Sequence, residues 1–219
     1  MASKISVKNI GKILSVLNNF VKNYQLPAVS QFNKNPFTVL ISTLLSLRTK
    51  DAVTIEASKR LFKRVKTCDD LDELSVGEIS KLIYPVGFYK TKAKRLKEIC
   101  NIIKTRFDGK VPASLNELLS LPGVGRKTAN LVLTEGFGRP GICVDTHVHR
   151  ISNRWGFVET KTPEKTEFIL RKKLPKQYWV DYNRILVAFG QNICLPISPW
   201  CSKCPIESFC IKRGVKYSR

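Results

Sequence analysis

Apolar residues recur three and four positions apart along almost the whole chain. Ile10, Ile13, Leu14, Leu17 and Val21 form one such series, Phe37, Leu40, Ile41, Leu44 and Leu45 a second, and Leu96, Ile99, Cys100 and Ile103 a third. That spacing puts each series on one face of an α-helix. Start signals stand in front of several helices. Ser75 with Glu78 and Ser114 with Glu117 have capping-box spacing, and Thr162 precedes Pro163 at a first helical position. Alternating apolar and polar runs bounded by turn pairs are missing, as are repeats, low-complexity stretches and an obvious linker. The pattern predicts an all-α protein of about ten short helices with essentially no sheet.

Two segments carry chemistry as well as structure. Leu121-Pro-Gly-Val-Gly-Arg-Lys-Thr-Ala129 stands between one helix and the apolar helical run Asn130 to Leu133. Gly123 and Gly125 permit a tight turn whose backbone approaches another surface closely. The amides that open the second helix then form an anion site. A helix-hairpin-helix of this kind, with Val124 and Arg126 in its turn, grips a DNA phosphate through main-chain groups without reading sequence. A packing corner between two helices is the plainer use of the same string. Lys127 falls in the first turn of the second helix, where the positive end of the dipole and Arg126 both disfavour an ammonium. An amine that sheds its proton is a competent nucleophile for a Schiff base, although a lysine here equally suits a phosphate contact.

The second segment is Gly141-Ile-Cys-Val-Asp-Thr-His-Val-His-Arg150. Asp145 opens a helical stretch and suits its N-cap. A carboxylate held there by amides can also stabilise positive charge at the anomeric carbon of a sugar, or take a proton from a lysine. His147 and His149 read as structural or phosphate-contacting rather than catalytic.

Composition narrows the class. Lys and Arg number 38 against 17 acidic residues, a formal charge of +21. The excess is spread over residues 59–66, 90–97, 171–173 and 212–219, as expected of a surface for a polyanion whose counterions are released on binding. Of seven cysteines, Cys68, Cys100 and Cys143 lie far apart in the sequence, which suits buried free thiols in a reducing compartment better than a secreted disulfide framework. The opening MASKISVKNIGK lacks the apolar core of a signal peptide. No stretch approaches the roughly 20 apolar residues of a membrane helix. The expectation is an intracellular protein with no membrane association.

The other four cysteines, Cys194, Cys201, Cys204 and Cys210, crowd into seventeen residues as C-x6-C-x2-C-x5-C. Four thiolates so close can converge on one metal centre, either tetrahedral zinc or a [4Fe–4S] cluster. Zinc ribbons usually pair two C-x2-C knuckles and this segment has one, which favours iron–sulfur. Unligated or disulfide-bonded cysteines are the plainer alternative.

The L-P-G-V-G-R-K-T-A string, V-D-T-H with its aspartate eighteen residues beyond Lys127, and the cysteine pattern together resemble the endonuclease III family of the helix-hairpin-helix DNA glycosylase superfamily. The similarity spans about Pro36 to Cys210. It implies two lobes: a six-helix barrel lobe carrying the hairpin, residues 29–139, and a cluster lobe combining 1–28 with 140–219, with DNA in the cleft between them. Carried over position by position, Lys127 is the nucleophile and Asp145 the activating aspartate. Cys194, Cys201, Cys204 and Cys210 become the ligands of a [4Fe–4S] cluster. The implied activity is that of a bifunctional DNA glycosylase/AP lyase of base excision repair. It would flip an oxidised pyrimidine out of double-stranded DNA, remove it through a lysine Schiff base and cleave the strand at the abasic site by β-elimination. A monomer without a diffusible cofactor is expected.

The chain departs from the family pattern at three places. Arg48, within Ser46 to Asp51, stands where members often carry a gap-filling glutamine. Phe88, in Gly87-Phe-Tyr-Lys90, stands where they often place a leucine wedge. Both become candidates for DNA contact. Leu195 to Trp200 lacks the basic residue of some relatives, which shifts phosphate contact toward Lys203 and Lys212. Two other readings compete. A monofunctional mismatch glycosylase shares the scaffold, but its adenine-specific members usually lack the lysine, carry a glutamate near the place of Thr43, and have a large C-terminal domain where nine residues follow Cys210 here. A non-catalytic DNA-binding module, stapled by its cluster, would have no need of both Lys127 and Asp145.

Overall fold

The structure, a computed structural model, describes residues 4–24 and 35–219. Among the described residues it is helical with no strand, and no helix is long and apolar enough to cross a membrane. The chain divides into two compact units, Met1–Leu26 with Pro140–Arg219 and Pro27–Arg139. The lobe boundary expected at residues 28 and 29 lies outside the described residues.

The Pro27–Arg139 unit is built around α2 (Pro36–Ser46). Every residue from Val39 to Leu45 is buried, so this helix is enclosed on all sides rather than on one stripe. Its neighbours are α3 (Asp51–Arg64), α6 (Tyr89–Arg106) and α8 (Arg126–Leu131), with α4 (Cys68–Glu73) and α5 (Val76–Ile83) packed against α6 and α7 (Leu115–Leu119) against α8. The third apolar series is the buried face of α6. Ser75 and Glu78 form the expected reciprocal capping box. Thr67 and Asp70 form another, in which aspartate replaces the glutamate or glutamine of the sequence signature. The amides of Lys66 and Thr67 bonded to Asp70 hold its carboxyl below the usual carboxylate range.

Beyond Leu131 the helix widens into a π-helical segment, Val132–Gly136, where a continuous α-helix was expected. Its end packs closely. A Cβ on Gly136 would stand 2.9 Å from the Pro36 Cα, so the end of this segment lies directly on the start of α2. Cys68 and Cys100, remote in sequence, meet in this core as free thiols. The hydrogen bond that the Cys100 thiol makes to Cys68, together with burial, pushes the Cys100 thiol up.

In the other unit α1 (Ile10–Val21) lies against α11 (Trp179–Asn192), which packs on α9 (Thr146–Arg154), and α10 (Pro163–Lys173) packs on α9 in turn. The first apolar series is the buried face of α1. It joins Trp155, Phe157 and Tyr182 in one core, on which Cys194, Trp200, Cys204, Phe209 and Cys210 also rest. Thr162 caps α10 through the Lys165 amide at 3.3 Å, with Pro163 at the first helical position as expected.

Candidate functional site

The hairpin string forms α7, a turn and α8, as its glycines imply. Gly123 has φ +76°, and a Cβ there would meet the Arg95 guanidinium at 2.7 Å. Glycine is favoured here by the backbone angle, whereas the Arg95 side chain could swing aside. Val124 is buried beneath the turn, its amide donating to the Leu121 carbonyl at 3.1 Å. Gly125 occupies the N-cap of α8 and has open space where a Cβ would stand. A helix start of this form presents amide donors and a positive dipole end to an incoming anion. Lys127 is exposed in the first turn of α8, and Arg126 beside it is half-buried.

Arg48 and Phe88 lie together in the same unit. Both adopt left-handed backbone, φ 53° and 58°, and Phe88 is 63% exposed. The Arg48 guanidinium carbon is 5.8 Å from the centroid of the Phe88 ring, within cation–π range. An aromatic ring held in water by strained backbone has the form of an insertion wedge. Part of the basic surface is already paired within the unit. Lys97 donates to the Asp72 and Leu74 carbonyls at 2.9 and 2.8 Å, and Lys104 pairs with both Asp69 and Asp72 at 3.0 Å.

In the unit of residues 140–219, Asp145 is the N-cap of α9 and accepts from the Val148 amide at 2.9 Å, as its sequence context predicts. His147 is half-buried, with Nδ1 3.1 Å from Arg150 Nη2 and its ring set against Gly190. His149 is 2.7 Å from the Thr166 hydroxyl, and burial lowers its pKa.

Among the described residues, no three Cys, His, Asp or Glu side chains stand together as a site for a single metal ion. Cys194, Cys201, Cys204 and Cys210 instead line one small cavity, with Trp155, Phe189 and Trp200 in its wall. Hydrogen bonds converge on the sulfurs. Arg154 donates to Cys194 Sγ at 3.4 Å, the Lys212 amide donates to Cys210 Sγ at 3.4 Å, and the Ile206 amide points at Cys204. Burial pushes the Cys204 thiol up to about 12 and raises Cys210 as well. A cationic centre is the usual way to hold such buried sulfurs as thiolates. Of the two lysines expected to meet phosphate, Lys203 lies 4.5 Å from the Trp200 ring and Lys212 is paired with Glu207 at 2.6 Å.

The sequence matches the HhH-GPD superfamily of base excision DNA repair proteins over residues 41–176. It is 49% identical over 187 residues to endonuclease III of Thermotoga maritima, covering 83% of this chain and 88% of that one. The chain belongs to the endonuclease III family. Two solved structures share its helix-hairpin-helix glycosylase fold, a non-covalent endonuclease III–DNA complex and a trapped endonuclease III–DNA covalent intermediate. Each has a TM-score of 0.84 at 33% identity and covers 95% of this chain; the alignment covers 96% and 97% of those chains respectively. Membership makes this protein a DNA glycosylase with AP lyase activity in base excision repair.

Sequence reasoning overlooked the two arginines that hold the cysteine segment of this endonuclease III relative. Arg150 donates to the Gly190 and Cys194 carbonyls at 3.2 and 2.8 Å. Arg154, 7% exposed, donates to the Leu195 and Pro196 carbonyls, each at 2.6 Å. The available signal was two arginines one turn apart on a helix whose other side is apolar, since a buried arginine requires fixed acceptors. The cap at Asp145 has a measurable consequence. Asp145→Ala should lower stability by about 1 kcal/mol, while Asp145→Asn should stay within a few tenths. Thermal unfolding would register the first as a drop of about 2–4 °C; an unchanged transition in Asp145→Ala would contradict the cap.

Proposed function

We propose that this protein removes oxidised pyrimidines from double-stranded DNA with Lys127 as nucleophile and Asp145 as its activating carboxylate. The observation that carries the reading is exposed Lys127 in the first turn of α8, beside a hairpin whose amides suit a phosphate, in a fold shared with a trapped covalent DNA intermediate. Gly123 to Arg126 would hold the backbone of the damaged strand. The neutral amine attacks C1′ of the flipped nucleotide, and the glycosidic bond breaks with its electron pair leaving on the base. Asp145, fixed by the Val148 amide, stabilises positive charge at C1′ or accepts the proton that the attacking amine releases. Opening of the sugar gives an iminium. Loss of a C2′ proton then expels the 3′ phosphate by β-elimination, and water releases the lysine.

A [4Fe–4S] cluster held by Cys194, Cys201, Cys204 and Cys210 is part of the proposal. Four cysteines ringing one cavity, with N–H donors aimed at three of their sulfurs, support a polynuclear thiolate cluster. The cluster would supply a covalent staple for the irregular segment after α11. Buried thiols at Cys68 and Cys100, not joined in a disulfide, support an intracellular setting, and we read the active form as a monomer.

Two results follow. Lys127→Gln should bind damaged duplex within a few-fold of wild type, because the phosphate contacts are main-chain. Its excision should fall by orders of magnitude, with borohydride trapping abolished. Asp145→Asn should excise slowly yet retain part of the cleavage at preformed abasic sites, where an aldehyde accepts the amine directly. Wild-type trapping by Lys127→Gln would place the nucleophile elsewhere. Separately, purified protein should be yellow-brown, absorb broadly near about 400 nm and carry about four irons per chain. Colourless protein with stoichiometric zinc would contradict the cluster and leave the glycosylase reading intact.

A further inference from the structure

The last carbonyls of α2 lack partners within the helix, and a lysine from α6 supplies them. Lys92 Nζ donates to the Leu45 carbonyl at 2.7 Å, the Leu47 carbonyl at 2.6 Å and the Thr49 hydroxyl at 3.2 Å. All three ammonium protons are thereby used. Burial brings the Lys92 pKa down to about 8, so the ammonium form still prevails at neutral pH. Thr49 completes the junction, its hydroxyl donating to the Leu47 carbonyl at 3.3 Å and accepting from the Gly87 amide at 3.1 Å.

This junction joins two loops, each with one non-glycine residue in left-handed backbone: Arg48 on one and Phe88 on the other. The loops touch at their main chains, since a Cβ on Gly87 would stand 2.5 Å from the Arg48 carbonyl oxygen. Neither conformation is one that its residue adopts by preference. Lys92, Thr49 and Gly87 fix both at once and leave a guanidinium over an exposed ring.

We propose that Lys92 is a positioning residue that locks the Arg48 and Phe88 loops into a single wedge, so that both side chains enter a duplex together. The proposal rests on reading the chain as a glycosylase that opens duplex DNA. Lys92 does not touch the nucleic acid, its protons being committed to protein acceptors. Its effect is to remove the freedom of two loops that would otherwise have to be ordered during insertion.

The test uses Lys92→Met in the full chain, with a duplex carrying 2-aminopurine opposite a stable abasic analogue. The variant should keep the wild-type far-ultraviolet circular dichroism and bind undamaged duplex within about twofold. It should also trap single-stranded abasic DNA with borohydride at wild-type yield, because no wedge is needed there. The 2-aminopurine fluorescence change should be largely lost, and single-turnover excision from damaged duplex should fall by about tenfold or more. Wild-type fluorescence change and duplex excision would overturn the proposal, and so would an equal loss of single-strand trapping in a folded variant. If Lys92→Met does not fold, Thr49→Val removes the bridging hydroxyl at constant volume and should show the same split; a wild-type profile there overturns the proposal. Absence of trapping by the wild-type protein itself would instead refute the underlying lysine chemistry.

Discussion

The first four amides and last four carbonyls of an α-helix find no partner inside it. A fold made of short helices must satisfy those groups from turns, side chains or ligands, and it does so at many places. Here that requirement organises the chemistry. Asp145 is the side-chain cap of α9, Lys127 stands in the first turn of α8 behind a glycine cap, and Lys92 serves the carbonyls at the end of α2. A capping side chain loses its freedom to the backbone it serves, so each end is also a place where a functional group is held in register.

The same logic explains the segment after α11. Residues 193–219 hold only two short 3-10 turns and cannot bury enough apolar surface to order themselves. Arg150 and Arg154 clamp the carbonyls of Gly190 and of residues 194–196, while the Lys203 ammonium and the Arg219 guanidinium both stand over the Trp200 ring. Four cysteines around one cavity complete the arrangement. Because α9 carries Asp145 at its start and both arginines further along, disturbance of the cysteine segment is expected to reach the carboxylate through one rigid helix.

Much of this was legible in the sequence because the relevant physics is local. Helical period located the buried faces of α1 and α6 and the existence of α2, though not its enclosure on all sides, and the hairpin glycines announced a tight turn. Ser75 and Thr162 announced their caps in the same way. What escaped depends on contacts across the fold. The π-helical segment after Leu131 ends at Gly136, which packs on Pro36, a hundred residues earlier. The left-handed backbones of Arg48 and Phe88 carry no glycine or asparagine signature, because tertiary hydrogen bonds impose them. The uses of Lys92, Lys97, Arg150 and Arg154 were hidden for the same reason. A basic residue reads as surface charge until the carbonyls it serves are in place.

The central claim is that one amine, Lys127, carries the chemistry. Its most direct test is to trap the wild-type protein on abasic duplex with borohydride, digest the conjugate and map the modified peptide by mass spectrometry. The account predicts a single adduct, on the α8 peptide at Lys127. An adduct at any other amine, or a mixture spread over several lysines, would contradict it.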